Sequence, residues 1–317
     1  MNAPPDSGGA HPAPDPNATD GSVFDGLLGG DPSQWAFGTS FEDPLAGVDT
    51  TVPDGVPASA LATYCLMLGD DALVASHRLS EWCSNAPDLE DDIALANIAL
   101  DLLGQARLLL ARAAAADPAV VPVLPAGSPV PPEDALAFFR DAPAFRNVHL
   151  AEVEGGDFAH VVVRLLLLST TRLAVLQRLR TSRDQVLAAV AGKGVKELTY
   201  HRDYAGRWFR TLAQGTEESR RRLLRAVAAL WPLVEEALRP HPVERQLAEA
   251  GVAVDPASVA EEVDAVLELV CATSDVPRPD RSAAGGVSGR DGRHTEALGQ
   301  LLAEMQVVAR AHPSGRW

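Results

Sequence analysis

The sequence predicts an all-α protein: an antiparallel helical bundle with one long crossover and extra helices towards the C-terminus. Three observations predict it. Ala, Leu, Val and Arg dominate the middle of the chain and aromatic residues make up only 5%, which favours helices over strands. Two long apolar-periodic stretches are separated by little more than Asn85-Ala86-Pro87, so they must lie antiparallel. A Pro-rich run, Val120 to Pro132, then resists regular structure and separates this pair from a second pair of long helical stretches.

In chain order, Met1 to about Val56 is rich in Pro, Gly, Asp and Ala and has no basic residue. Residues 1–56 are therefore expected to be disordered or loosely docked, and residues 57–317 to form the helical domain. Within the extension, Ser33–Val48 carries Trp35, Phe37, Phe41 and Leu45. It reads either as coil or as a short docking segment. The first helix is expected over Ala58–Ser84, with Leu61, Tyr64, Cys65, Leu68, Ala72 and Ala75 as its apolar stripe.

The second helix runs from Asp88 to about Ala116. Asp88 can cap it, and Glu90, Asp91 and Asp92 suit the positive end of its dipole. Asn97, Asp101 and Gln105 fall on one face of it. A short helix (Glu133–Arg140) and an irregular stretch (Asp141–Gly156) complete the crossover. The third and fourth long helices follow at Asp157–Arg180 and Arg183–Leu212. A fifth covers Glu217–Leu238, with Pro232 expected to kink it. Two smaller helices (Val243–Ala250 and Pro256–Ala272), a mobile loop (Ser274–Asp291) and a last helix (Thr295–Ala311) close the chain. Either Thr295 or His294 is expected to cap that last helix.

A net charge of −16 argues against a broad basic face for nucleic acid, though not against a local basic pocket for a phosphorylated ligand. There are only two lysines, Lys193 and Lys196. The three cysteines show no metal or redox spacing, and their odd number fits a reducing compartment. The first Lys or Arg is Arg78, so the positive n-region of a signal peptide is missing. The most apolar run, Val161–Leu179, contains Arg164, Arg172 and Arg178, which suits a buried bundle helix better than a membrane span. A soluble, cytoplasmic protein is expected.

One crossover between the second and third long helices is the ferritin-like topology. A di-iron centre in that fold takes one Glu from each of two helices and a Glu-x-x-His from each of the other two. The first helix offers Asp70 or Asp71, and the second offers Asp101, with Gly104 where the His should be. The third offers no Asp or Glu between Phe158 and Arg183, and the fourth offers Glu197 with His201 at i+4. The ligand count fails. Asp70, Asp101, Glu197 and His201 are expected to mark a vestigial centre. Asp101, Glu197 and His201, with a base such as Arg164 or Arg172, are expected to pair by hydrogen bonds inside the bundle. No metal, cofactor or catalytic residue is assigned to the chain. No Gly-x-Ser-x-Gly, Walker A or Rossmann fingerprint is present.

Leu61–Leu110, Glu154–Leu168, Lys196–Ser219, Gly251–Pro256 and His294–Trp317 together give the chain a specific resemblance from about Ala58 to Trp317. It resembles the C-subunit family of the multicomponent phenylacetyl-CoA 1,2-epoxidase of bacterial phenylacetate catabolism. The resemblance implies a ferritin-like structural subunit paired with a homologous A subunit that holds the di-iron centre. It also implies a reductase subunit with flavin and an iron–sulfur cluster, fed by NADPH, and further small subunits. Asp101 stands where that family keeps a second-helix carboxylate. The first and second helices and the last one are the expected interface. Whether this chain touches the acyl-CoA substrate is left open by the sequence, with an indirect contact as one option. The alternatives are a self-contained di-metal oxygenase or a ferritin-like metal protein, which a full set of Glu and His ligands would favour.

Overall fold

The computed structural model describes residues 47–280 and 286–315, and within these there are eleven α-helices and no strand. The expectations for residues 1–46, including Trp35, Phe37, Phe41 and Leu45, fall outside them. Helix α1 (Ala58–Ser80) is buried along nearly its whole length. It ends four residues before the predicted Ser84, because Trp82 and Cys83 turn back onto Leu79 O and Ser80 O and Ser84 takes a left-handed φ of 69°. Helix α2 (Leu89–Ala116) starts where the sequence places it, with the Asp88 carboxylate accepting from Asp91 N at 2.8 Å.

Contacts between four pairs of helices fix the topology. Ser76 Oγ donates to Ala99 O, and Gly69 packs against Leu109 and Leu110, so α1 and α2 run antiparallel. Helices α5 (Phe158–Leu179) and α6 (Gln185–Gln214) are also antiparallel: Phe158 meets Trp208 edge-on at 4.9 Å, and Gly194 lies against Leu176. A Cβ at Gly194 would come within 2.7 Å of Leu176 Cδ1, so a larger residue there would require the Leu176 side chain to shift. Arg172 on α5 donates to Leu68 O on α1. On the remaining side, Asp101 and Gln105 of α2 meet His201 and Glu197 of α6. The four helices form a closed ring, α1–α2–α6–α5. Its diagonal members α2 and α5 are joined by the long crossover, and this is the ferritin-like bundle.

The crossover holds α3 (Pro132–Phe138) and one turn of helix, α4 (His149–Glu152), inside the stretch read as irregular. Beyond α6 come α7 (Glu217–Leu230), α8 (Val234–Leu238), α9 (Pro242–Glu249), α10 (Ala260–Thr273) and α11 (Glu296–Ala311). Pro232 does more than kink the fifth long helix. It sits in a 3-10 turn, Trp231–Leu233, that separates α7 from α8. Residues 47–56 are tied to the bundle, since Arg112 donates to Thr50 O at 2.6 Å and pairs with the buried Asp184 at 2.6 Å.

The loop before α11 departs most from expectation. Its composition predicts mobility over Ser274–Asp291, yet Ser288, Gly289 and Arg290 are buried. Arg290 reaches into the bundle and forks onto Asp71 of α1 at 3.0 and 2.8 Å. Gly289 backs onto the crossover, where a Cβ would fall 1.9 Å from Asn147 O. Two histidine–glutamate pairs bolt the same join. His294 Nδ1 lies 2.7 Å from Glu152, and His149 Nδ1 lies 2.9 Å from Glu236. Neither Thr295 nor His294 caps α11 with its side chain. Instead Thr295 N–H donates to Glu152 at 2.7 Å.

The hydrogen bond to Glu236 raises the pKa of His149 from 6.5 to about 9, against the opposing effect of burial, with the Arg293 carbonyl adding to the rise. A folded-state pKa raised above the unfolded value gives stability that is fully present below pH 6.5 and lost as pH climbs through 9. In His149→Gln, denaturant midpoints at pH 6.5 and 9 should lie closer together than in the wild type. An unchanged gap would show that the pair does not couple to folding.

Candidate functional site

A metal centre in this fold would lie on the axis of the ring, where α1, α2, α5 and α6 face one another. The side chains at that level form a chain of polar contacts instead. Lys193 Nζ lies 3.5 Å from Glu197 at the rim of α6. Gln105 donates to Glu197 at 2.9 Å, and its carbonyl oxygen accepts from Arg172 at 3.1 Å. Arg172 continues to Leu68 O at 3.1 Å and approaches Asp71 at 3.8 Å. Asp71 also takes both guanidinium nitrogens of Arg290 and the Val148 N–H at 2.9 Å. The line runs from solvent beside α6, across the core, to the C-terminal tail.

The electrostatics follow from burial. Arg172 is enclosed, so desolvation lowers its pKa, and the Asp71 carboxylate offsets part of that cost. Burial also works against the charge on Arg290, but Asp71 and Glu244 more than compensate, and its pKa stands above the ordinary arginine value. The middle of the bundle thus carries a guanidinium held by an amide and a backbone carbonyl. These residues do not fit a pair of metal ions: a buried cation occupies the position, and the helix that supplies it contributes no carboxylate. Among the described residues no group of three or more His, Cys, Asp or Glu side chains is arranged to hold a metal.

The sequence-derived set is only partly brought together. His201 is fully buried and its Nε2 lies 3.0 Å from Asp101, as expected. Their pair sits at the edge of the bundle rather than inside it, since the Asp101 side chain is 38% exposed. The His201 Nδ1 has no partner. Glu197 joins the line through Gln105, not through Asp101. Asp70 does not belong to the group. It is buried on the crossover side of α1, where Arg140 forks onto it and Arg146 N–H donates at 2.8 Å. Adjacent helical residues point about 100° apart, so Asp71 faces inward and Asp70 cannot. Of the two candidate bases, Arg172 takes part and Arg164 does not, because Arg164 donates to Glu154 O. Burial and the neighbouring Arg78 lower the Arg164 pKa to about 10.

Gln105 is visible in the sequence as the third member of the Asn97–Asp101–Gln105 face. Arg290 is not, because a Gly- and Ser-rich loop has no periodicity to mark an inward residue.

The second feature of the site is the outer face of α2. Leu89, Ile93, Leu100 and Leu103 are 69%, 53%, 63% and 40% exposed. Three helices, α1, α2 and α5, are long and apolar enough to cross a membrane. The apolar windows of α1 and α5 are 83% and 89% buried, but that of α2 only 44%. Tyr200, Lys193 and Lys196 of α6 are exposed, and Asp101 lies between the two helices at this rim. Four large apolar side chains thus stand exposed along one face of α2.

The chain is 40% identical over 259 residues to the C subunit of the 1,2-phenylacetyl-CoA epoxidase of Escherichia coli strain K12, a match covering 81% of this chain and 99% of the relative. Residues 49–317, which contain the whole ring of helices, match the phenylacetic acid catabolic protein family. With its ferritin-like bundle and this coverage, the chain belongs to the phenylacetic acid catabolic protein family.

Proposed function

We propose that this chain is the structural, non-catalytic subunit of a phenylacetyl-CoA 1,2-epoxidase complex acting in the cytoplasm. In this reading a homologous subunit holds the di-iron centre, and a reductase subunit with flavin and an iron–sulfur cluster supplies its electrons. The observation that carries the reading is Arg172 with Gln105 at the level where metal ligands would converge. A chain committed to oxygen chemistry would have to remove that cation. The relative's description as an epoxidase subunit supports membership of a larger assembly.

The bundle's own task is then mechanical: to present a rigid face that positions a partner. Of the three helices expected at that face, α1 is enclosed and offers little surface. Helix α2 offers its apolar stripe, and α11 exposes Val307 and Val308.

The reading is tested by reconstituting the complex with Asp101→Ala/His201→Ala in this chain. Epoxidation at saturating substrate should stay within about twofold of wild type, because neither group touches reacting atoms. Removing a group that acts in the transition state would lower kcat by about a hundredfold or more, and that outcome would return chemistry to this chain.

A further inference from the structure

Between the outer faces of α6 and α10 lies an open groove of about 630 Å³. Its size lies within the range of small-molecule sites. Arg202, Arg207 and Arg210 line it from α6, and Val266, Val270 and Thr273 line it from α10. Tyr200, 46% exposed, and Ser274 complete the lining.

These three arginines converge on one groove and are paired more weakly than the arginines around it. On α7, Arg221 and Arg222 each contact Glu218 at 2.7 Å, and Arg220 donates to Asp275 O and lies 3.5 Å from its carboxylate. Elsewhere, Arg178 meets Glu262 at 2.7 Å and Arg278 meets Asp264 at 2.6 Å. In the groove, Arg202 comes no nearer than 3.9 Å to Asp203, the one carboxylate in the lining. Arg210 makes a long 3.4 Å contact with Gln214. The Arg207 side chain has no ion-pair or hydrogen-bond partner among the described residues. A protein of net charge −16 has ample carboxylates to pair these groups, yet leaves three guanidiniums facing one cavity. Two of them stand one turn apart on one helix, where like charges repel. A second, independent observation is Ser274, which is 1% exposed and whose Oγ has no partner. A buried hydroxyl without a partner is uncommon in a folded protein.

Guanidinium forks match phosphate oxygens, and an exposed tyrosine beside a valine wall accepts a flat ring. We infer that the α6–α10 groove binds a nucleotide-type phosphate, with its phosphates on Arg207 and Arg210 and its ring portion against Tyr200, Val266 and Val270. The ligand is either a free nucleotide or the nucleotide end of a coenzyme thioester.

The test is isothermal titration of the full chain, at low ionic strength, with ADP, coenzyme A, inorganic phosphate and adenosine as probes. ADP and coenzyme A should both bind, and Arg207→Gln/Arg210→Gln should weaken them about tenfold or more with an unchanged melting temperature. Coenzyme A binding about tenfold tighter than ADP would assign the thioester as the source, and equal affinity would assign a free nucleotide. Tyr200→Ala should weaken ADP but not inorganic phosphate. Three results would overturn the inference: no heat with either nucleotide, adenosine binding as well as ADP, or binding unaffected by the arginine pair. Binding of an acidic peptide in place of nucleotides would also overturn it, by making the groove a protein contact.

Discussion

Replacing Asp71 by asparagine should lower the stability of this protein by about 3–5 kcal/mol, the usual cost of breaking a buried ion pair from one side. The substitution keeps the shape and removes the charge. It leaves Arg290 and Arg172 enclosed in the same region with no carboxylate between them. Glu244 remains within range of Arg290 but only partly replaces Asp71. For a domain of this size the loss corresponds to roughly 10 °C in Tm. A thermal scan or denaturant titration measures it. The double variant Asp71→Leu/Arg290→Met should be markedly more stable than Asp71→Asn, because it removes both charges together. If Asp71→Asn melts with the wild type, the line from α6 to the tail contributes nothing to folding. The outcome also bears on function. Asp71 occupies the place on α1 from which a metal ligand would act, and here it holds two arginines. Its loss should therefore appear as a folding defect and not as a selective loss of chemistry.

The second large effect is expected at the surface. Leu100→Asp/Leu103→Asp should abolish copurification with the homologous subunit while shifting Tm by no more than about 2 °C. Both side chains are substantially exposed on α2, so a carboxylate there meets water in the isolated chain. In a complex it would be buried against an apolar partner, and two such residues at an interface centre can each cost about 2 kcal/mol or more. The exposed pair avoids an ambiguity that attaches to Leu102, which is 1% exposed, so that an aspartate there would unfold the bundle whether or not α2 is an interface. Copurification unchanged in the exposed double variant would remove α2 from the contact surface.

The elements are legible in the sequence wherever periodicity and caps agree. Asp88, Asp157 and Asp184 each accept from a backbone N–H at the start of a long helix, and the four long helices lie where the apolar pattern puts them. The missing carboxylate on α5 is legible too, because an absence over a whole helix needs no geometry. Direction is what the pattern does not carry. Asp70 and Asp71 are neighbours in sequence, yet one binds Arg140 on the crossover and the other binds Arg290 from the tail. Pattern alone does not choose between two adjacent acids on a helix buried all round. The tail itself is hidden for a related reason. Arg290 and Gly289 are buried by contacts to α1 and to Asn147, far away in sequence, and nothing local records those partners.

In the proposed role this bundle carries no oxygen-activating centre of its own, and the iron and manganese content of the purified chain, expressed alone in metal-replete medium, tests that most directly. The guanidinium of Arg172 in place of a ligand set predicts less than about a tenth of a metal ion per chain. A content close to two per chain would contradict it, and would require Asp101, Glu197 and His201 to come together in an arrangement that this bundle does not show.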